Sequence, residues 1–331
     1  MSKIQIIENS SEVGAGTRGS SLSIEALKVA ARNLKSDLFK KFSSVVIPNE
    51  NDVLDQPVKF PKALRIDSVI KVCENVSSKV SKSLSKHNFP LVIAADHSNA
   101  AGTLAGVKST YPDKRIGVIW IDAHADLHSP FTTPSGNVHG MSLAASVGSD
   151  NDKHRAHELD HLTQQKWEKY KNLENISPKV NTDDIVLIGL RSSEDPEDYF
   201  IIENNIKKIS VEEVRRTGSD VIANDVLKYL SSCDLIYISF DVDSLDCDLV
   251  SYGTGTPVCN GFTEQEASGL INHLLIDKRT CCLEVVEINP CLDNKQNNYE
   301  ITYGTQGNFA IGINNNLFEF FLNLLKKKNM L

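Results

Sequence analysis

The stretch IGVIWIDAHAD, residues 116–126, decides how the rest of the chain is read. Ile116 to Ile121 is apolar throughout, apart from one glycine. A strand that continuously apolar suits a parallel sheet covered by helices on both faces. It runs straight into Asp122-Ala-His124-Ala-Asp126. If the backbone stays extended there, alternate side chains point the same way and these three ligand-type groups project together. In doubly wound sheets, functional groups sit just beyond the carboxyl ends of the strands.

The same pattern recurs at two other places in the chain. Leu91 to Ala94 leads into Asp96-His97, and Leu235 to Phe240 leads into Asp241-Val-Asp243. Further short apolar, β-branched runs are Ile4–Ile7, Val45–Pro48, Ile185–Gly189, Lys208–Ser210 and Leu283–Ile288. Amphipathic, helix-length stretches lie between most of them, including Ile24–Lys35, Ile66–His87, Val221–Leu230 and Glu264–Leu275. Strands alternating with helices, with no linker, imply one α/β domain over residues 1–331 rather than two. A polar segment around 149–178 reads as an inserted, solvated helix, with His154, His157 and His161 spaced to share a face and the helix continuing through Trp167 and Tyr170. The lysine-rich end, Lys326–Lys328, reads as a solvated terminal turn.

Charge and composition narrow the function classes. The chain has 331 residues, 40% hydrophobic and 24% charged, with 35 basic against 43 acidic side chains and a net charge of −8. Such an acidic chain has no global attraction for nucleic acid or anionic membrane. No apolar run approaches the ~20 residues of a membrane span. The N-terminus lacks a secretory apolar region. The seven cysteines are odd in number and without CxxC pairs, which indicates free thiols in a reducing cytoplasm. Cys247, just beyond Asp243 and Asp246, reads as a packed free thiol.

Asp after a strand is also a common helix cap, and that reading stands beside the ligand reading for Asp96-His97-Ser98. The three clusters together favour metal chemistry. Asp122, Asp126, Asp241 and Asp243, gathered without counter-charge, would repel and raise one another's pKa values. Two divalent cations balance those four carboxylates, and His97 and His124 supply one imidazole to each ion. Mixed carboxylate and imidazole donors suit Mn²⁺, and also Co²⁺, Fe²⁺ or Zn²⁺. Two such ions can ionise a shared water near neutral pH.

The runs IAADHS (93–98), WIDAHADLHSPFTTPSGNVHG (120–140), SFDVDSLD (239–246), GTGTPV (253–258) and VVEINP (285–290) occur in the order found in arginases and related ureohydrolases. The chain resembles that family over nearly its whole length. The long 141–182 connection and GLRSSE (189–194) look most like a bacterial subgroup that includes the Helicobacter enzyme.

The resemblance implies a three-layer α/β/α domain around an eight-stranded parallel sheet. It also implies hydrolysis of L-arginine to L-ornithine and urea by a hydroxide bridging two metal ions, manganese first and cobalt as the alternative. His97, Asp122, Asp126 and Asp241 would hold one ion, and His124, Asp122, Asp241 and Asp243 the other. Asp126 would take the hydroxide proton, His139 would shuttle protons, and Glu287 would hold the guanidinium. Ser135 and Asn137 would read the α-carboxylate. Glu194 would meet the α-amino group, with Asp195 and Glu197 as alternatives, and Thr256 would also line the substrate.

His128 stands where many relatives have Asn near the α-carboxylate. Ala94-Ala95 replaces a common Gly-Gly, which implies a local backbone adjustment. Relatives suggest a trimer or hexamer. The alternatives are a ureohydrolase acting on agmatine, guanidinobutyrate or formiminoglutamate, a single-zinc deacetylase-like enzyme, and a silent metal-binding protein.

Overall fold

The computed structural model describes residues 3–293. Its frame is one eight-stranded, all-parallel sheet: β1 Ile4–Asn9, β2 Ser43–Val46, β3 Phe89–Ala94, β4 Ile116–Ile121, β5 Ile185–Ile188, β6 Lys207–Ile209, β7 Leu235–Asp241 and β8 Thr280–Val286, in spatial order β2-β1-β3-β8-β7-β4-β5-β6. The alternation of side chains along each strand builds two cores. From β4, Ile116, Val118 and Trp120 enter one, and Ile119 and Ile121 the other. The helices Ser23–Asn33, Val211–Thr217, Ser219–Tyr229 and Glu264–Ile276 contribute to the core shared with Ile119. The helices Ile66–Ser85, Ala100–Thr110, Ser142–Val147, His161–Lys171 and Asp195–Glu203 contribute to the core shared with Trp120. This is the expected three-layer architecture: the sheet is too apolar to leave either face in water.

Because every strand is parallel, all carboxyl ends lie along one edge. The four central neighbours β3, β8, β7 and β4 bring their ends together there. The chain order reverses across this group, which is where open α/β sheets form a crevice. Strand positions agree with the sequence reading except at ends. The last strand begins at Thr280 and stops at Val286, so Glu287 lies just past it.

The inserted segment departs from expectation. His154 ends a short 3₁₀ turn, Asp152–His154, and the helix starts only at His161, where the Asp160 carboxylate accepts the Thr163 N–H at 2.9 Å. The three histidines therefore share no helical face: an Asp able to satisfy an orphan N–H fixed the start later. Nor is the helix simply solvated. Trp167 and Tyr170 are buried, and the Tyr170 hydroxyl donates to the Ser98 carbonyl at 2.7 Å. Lys326–Lys328 lies outside the described residues.

Candidate metal centre and substrate cleft

The predicted ligands converge, though not by the extended backbone expected of them. After β4 the chain bends. The Asp122 carboxylate accepts the His124 N–H at 2.7 Å, and Asp126 sits at φ 51°. After β7 the chain makes a 3₁₀ turn, Val242–Ser244, with the Asp241 carboxylate accepting the Asp243 N–H at 2.8 Å. Carboxylates that satisfy backbone N–H groups of their own turn outcompete a continued strand. Asp126 and Glu287 (φ 66°) both occupy the left-handed region, costly for residues other than glycine.

Around His97, three carboxylate oxygens crowd one nitrogen. Nδ1 lies 3.0 Å from Asp126 Oδ2, 3.1 Å from Asp122 Oδ2 and 3.2 Å from Asp241 Oδ2. Yet His97 Nδ1 and Asp126 Oδ2, both buried, meet no partner at hydrogen-bond angles. Close, buried and unsatisfied donor atoms are what a cation-binding group presents. The second group is Asp122, His124 and Asp243. His124 Nδ1 is 3.0 Å from Asp243 Oδ2 and 3.5 Å from Asp122 Oδ1. Asp122 thus offers one oxygen to each group, while Asp241 adjoins the His97 group.

Neighbouring side chains fix this set. His97 stacks on Trp120 at 4.1 Å, and the Trp120 indole donates to Asp122 Oδ2 at 3.1 Å. His97 Nε2 lies 2.8 Å from the Ser239 hydroxyl. With the proton on Nε2 and donated to Ser239, Nδ1 turns a lone pair toward the carboxylates. Arg191 ties the second group down, donating to the carbonyls of Asp243 (2.7 Å), Leu245 (3.2 Å) and Val258 (2.8 Å).

Burial pushes Asp126, Asp241 and Asp243 above the usual carboxylate range, and Asp122 adds to this at each. Burial also opposes ionisation of Asp122, but His124 and His97 outweigh it and hold that carboxyl well below the usual range. Burial lowers the pKa of His124, but Asp243 and Asp122 more than offset this and push it up to about 12. A set that resists full ionisation on its own fits divalent cations.

A cleft of about 110 Å³ opens onto these groups, lined also by His128, Ser135, Asn137, His139, Glu194, Glu197 and Thr256. His139 Nδ1 pairs with Glu287 Oε1 at 2.9 Å, and the same oxygen accepts the His97 backbone N–H at 2.9 Å. Burial works against a charged His139, but Glu287 dominates and raises its pKa to about 9. At the other side of the cleft, His128 Nε2 meets Glu194 at 2.9 Å and Nδ1 meets the Thr132 hydroxyl at 3.1 Å. Burial pushes Glu197 up to about 7, whereas the His128 contact draws Glu194 down to about 2. Glu197 accepts the Leu127 N–H at 3.0 Å. Thr256 donates to Asp243 Oδ2 at 2.9 Å.

The model of the arginase family matches residues 3–305. The chain belongs to the arginase family. Arginase from Bacillus subtilis is 35% identical over 299 residues, covering 88% of this chain and 92% of the relative. Arginase from Bacillus caldovelox is 36% identical over 243 residues, covering 73% and 75%. A crystal structure of Bacillus subtilis arginase superposes with a TM-score of 0.76 at 30% identity, covering 99% of this chain and 98% of that one. The Helicobacter pylori arginase structure matches with a TM-score of 0.76 at 24% identity, a likeness of fold. As an arginase-family hydrolase, the chain carries two candidate ligand groups that share Asp122 at the sheet edge described above, two of the four groups of ligand-type side chains among the described residues.

Sequence reading missed the supports. Ser239 was within reach, since the period of two puts it on the same side of β7 as Asp241. Nothing local marks Arg191, whose carbonyl partners lie up to 68 residues away. Ala94 and Ala95 need no glycine-like angles: both are buried at negative φ, and the Ala95 N–H donates to the Asn9 carbonyl at 2.9 Å.

Proposed function

We propose that this chain hydrolyses L-arginine to L-ornithine and urea with two divalent cations, Mn²⁺ first and Co²⁺ as the alternative. His97, Asp122, Asp126 and Asp241 would hold one, and His124, Asp122, Asp241 and Asp243 the other. Bound there, the two ions would supply Lewis-acid activation of a water near neutral pH.

The chain's own residues do the rest. Asp126, unsatisfied at Oδ2, would accept a proton and return it to the leaving amine. Glu287 offers a carboxylate to the planar guanidinium, a geometry that accepts parallel N–H bonds. His139, already paired with Glu287, carries protons between the cleft and solvent. Ser135 and Asn137 offer donors for an α-carboxylate, and Glu194 complements an α-ammonium. His128, with both ring nitrogens engaged, positions Glu194 and meets the substrate from that pairing. Thr256 lines the same cleft while steadying Asp243.

The observation that carries the reading is a single cleft lined by both ligand groups and by the groups suited to an amino acid's polar head. The reading extends to a homo-oligomer, trimer or hexamer, in the cytoplasm; light scattering of the purified protein tests the oligomer. Urea release from L-arginine and agmatine, measured in parallel after incubation with Mn²⁺ or Co²⁺, tests the chemistry. Metal-dependent urea from arginine alone is expected. Urea from agmatine alone would overturn the roles of Ser135 and Asn137, and urea from neither would overturn the substrate.

A further inference from the structure

The segment that carries Thr256 follows the 3₁₀ turn Val242–Ser244 beyond β7 and returns to the helix Glu264–Ile276. Its neck is closed by backbone pairing: the Asp246 N–H donates to the Phe262 carbonyl at 2.9 Å, and the Phe262 N–H to the Ser244 carbonyl at 3.0 Å. Just inside that neck two thiols face each other. Cys247 Sγ and Cys259 Sγ are 3.2 Å apart, and the Cys247 N–H approaches the Val258 carbonyl at 3.4 Å. Cys247 is buried and Cys259 exposed, so one sulfur meets solvent and the other lies beneath it. A disulfide requires the sulfurs at about 2.05 Å, so closure takes roughly 1 Å of movement.

We propose that Cys247 and Cys259 form a redox modification site, a reversible disulfide that staples the loop bearing Thr256. The oxidant is a low-molecular-weight disulfide. The Cys259 thiol gives up its proton and its sulfur attacks one sulfur of the small disulfide. That S–S bond breaks, and the first small thiol leaves with the proton. Cys247 then loses its proton and attacks Cys259 Sγ, forming the internal bond and expelling the second small thiol. Two protein thiols are oxidised and one small disulfide is reduced to two thiols. Transient pairs of this kind are the usual form of disulfide in a reducing compartment.

The position gives the bond a consequence. Arg191 holds the carbonyls of Val258 and Cys259 together with those of Asp243 and Leu245, and Thr256 donates to Asp243. A cross-link at 247 and 259 therefore closes a ring around residues 248–258 and restrains the segment that steadies Asp243. Asp248 acts as a brake: its carboxylate, with Cys247, pushes the exposed thiol up to about 12 and keeps it protonated. The site is independent of the substrate reading above, because the exchange involves no guanidino compound.

The full-length protein, reduced and then exposed to oxidised glutathione, tests this by peptide mapping without reductant. A peptide linking Cys247 to Cys259 should appear in the native chain and be absent from Cys247→Ser and Cys259→Ser. Asp248→Asn should form it at least about tenfold faster, by freeing thiolate at Cys259. Chymotryptic cleavage beside Leu249 and Tyr252 should slow in the oxidised form and recover on reduction. An adduct at Cys259 that never closes, a link to another cysteine such as Cys291, or a cleavage rate unchanged by oxidation would overturn the proposal.

Discussion

Asp126 shows what a single residue does here. It is buried, sits at φ 51°, and keeps one oxygen without a hydrogen-bond partner, 3.0 Å from His97 Nδ1. Asp126→Asn keeps the size and removes the charge. It should lower kcat for urea release by about 10²–10⁴-fold, with the circular dichroism spectrum unchanged. Asp241→Asn should do the same. Full activity in either purified variant would reject the site. His139 adds a pH signature in the metal-free protein. Against burial, the Glu287 carboxylate raises its folded pKa from the ordinary imidazole value of 6.5 to about 9. The stability it contributes is therefore complete below roughly pH 6.5 and disappears as pH rises through about 9. The melting-temperature gap between native protein and His139→Asn should shrink across that window.

Among the connecting elements, the loop 133–139 is the most constrained by its backbone. Gly136 has φ 81°, and a Cβ there would lie 2.2 Å from the Pro61 carbonyl oxygen. That carbonyl is backbone and cannot yield cheaply. Gly136→Ala should cost at least about 1–2 kcal/mol and raise KM for arginine with little change in metal content, read by thermal melts and steady-state kinetics.

The legibility of the elements follows physical lines. The strand Ile116–Ile121 was plain in the sequence because burial on both faces demands an unbroken apolar run. The turns after it were not: whether Asp122 extends a strand or accepts the His124 N–H depends on local competition that periodicity does not register. The residue types of the candidate ligands were legible because few other arrangements explain so many acids at strand ends. The helix start at Asp160 was misplaced because histidine spacing says nothing about which carboxylate caps. Arg191 was invisible because all but one of its carbonyl partners become neighbours only in the fold.

At the scale of the molecule, the all-parallel sheet gathers four strand ends, and with them acids that burial alone disfavours in charged form. Asp126, Asp241 and Asp243 have folded pKa values raised above their unfolded ones. From these groups the metal-free protein loses stability as pH rises above the ordinary carboxylate range, because ionising them in the fold is costly. Cations reverse that cost where the ligands are deprotonated. Mn²⁺ should therefore raise the melting temperature at about pH 7, and the gain should shrink toward about pH 5 as protons compete for the same oxygens. A gain independent of pH would place the stabilising ion elsewhere.

The proposed chemistry needs two cations sharing Asp122. Metal content per chain, measured by atomic emission after Mn²⁺ loading and removal of free ion, tests it most directly. Two ions per chain, falling to one or none in Asp243→Asn, is the predicted result. A single ion in the fully active native protein would contradict it.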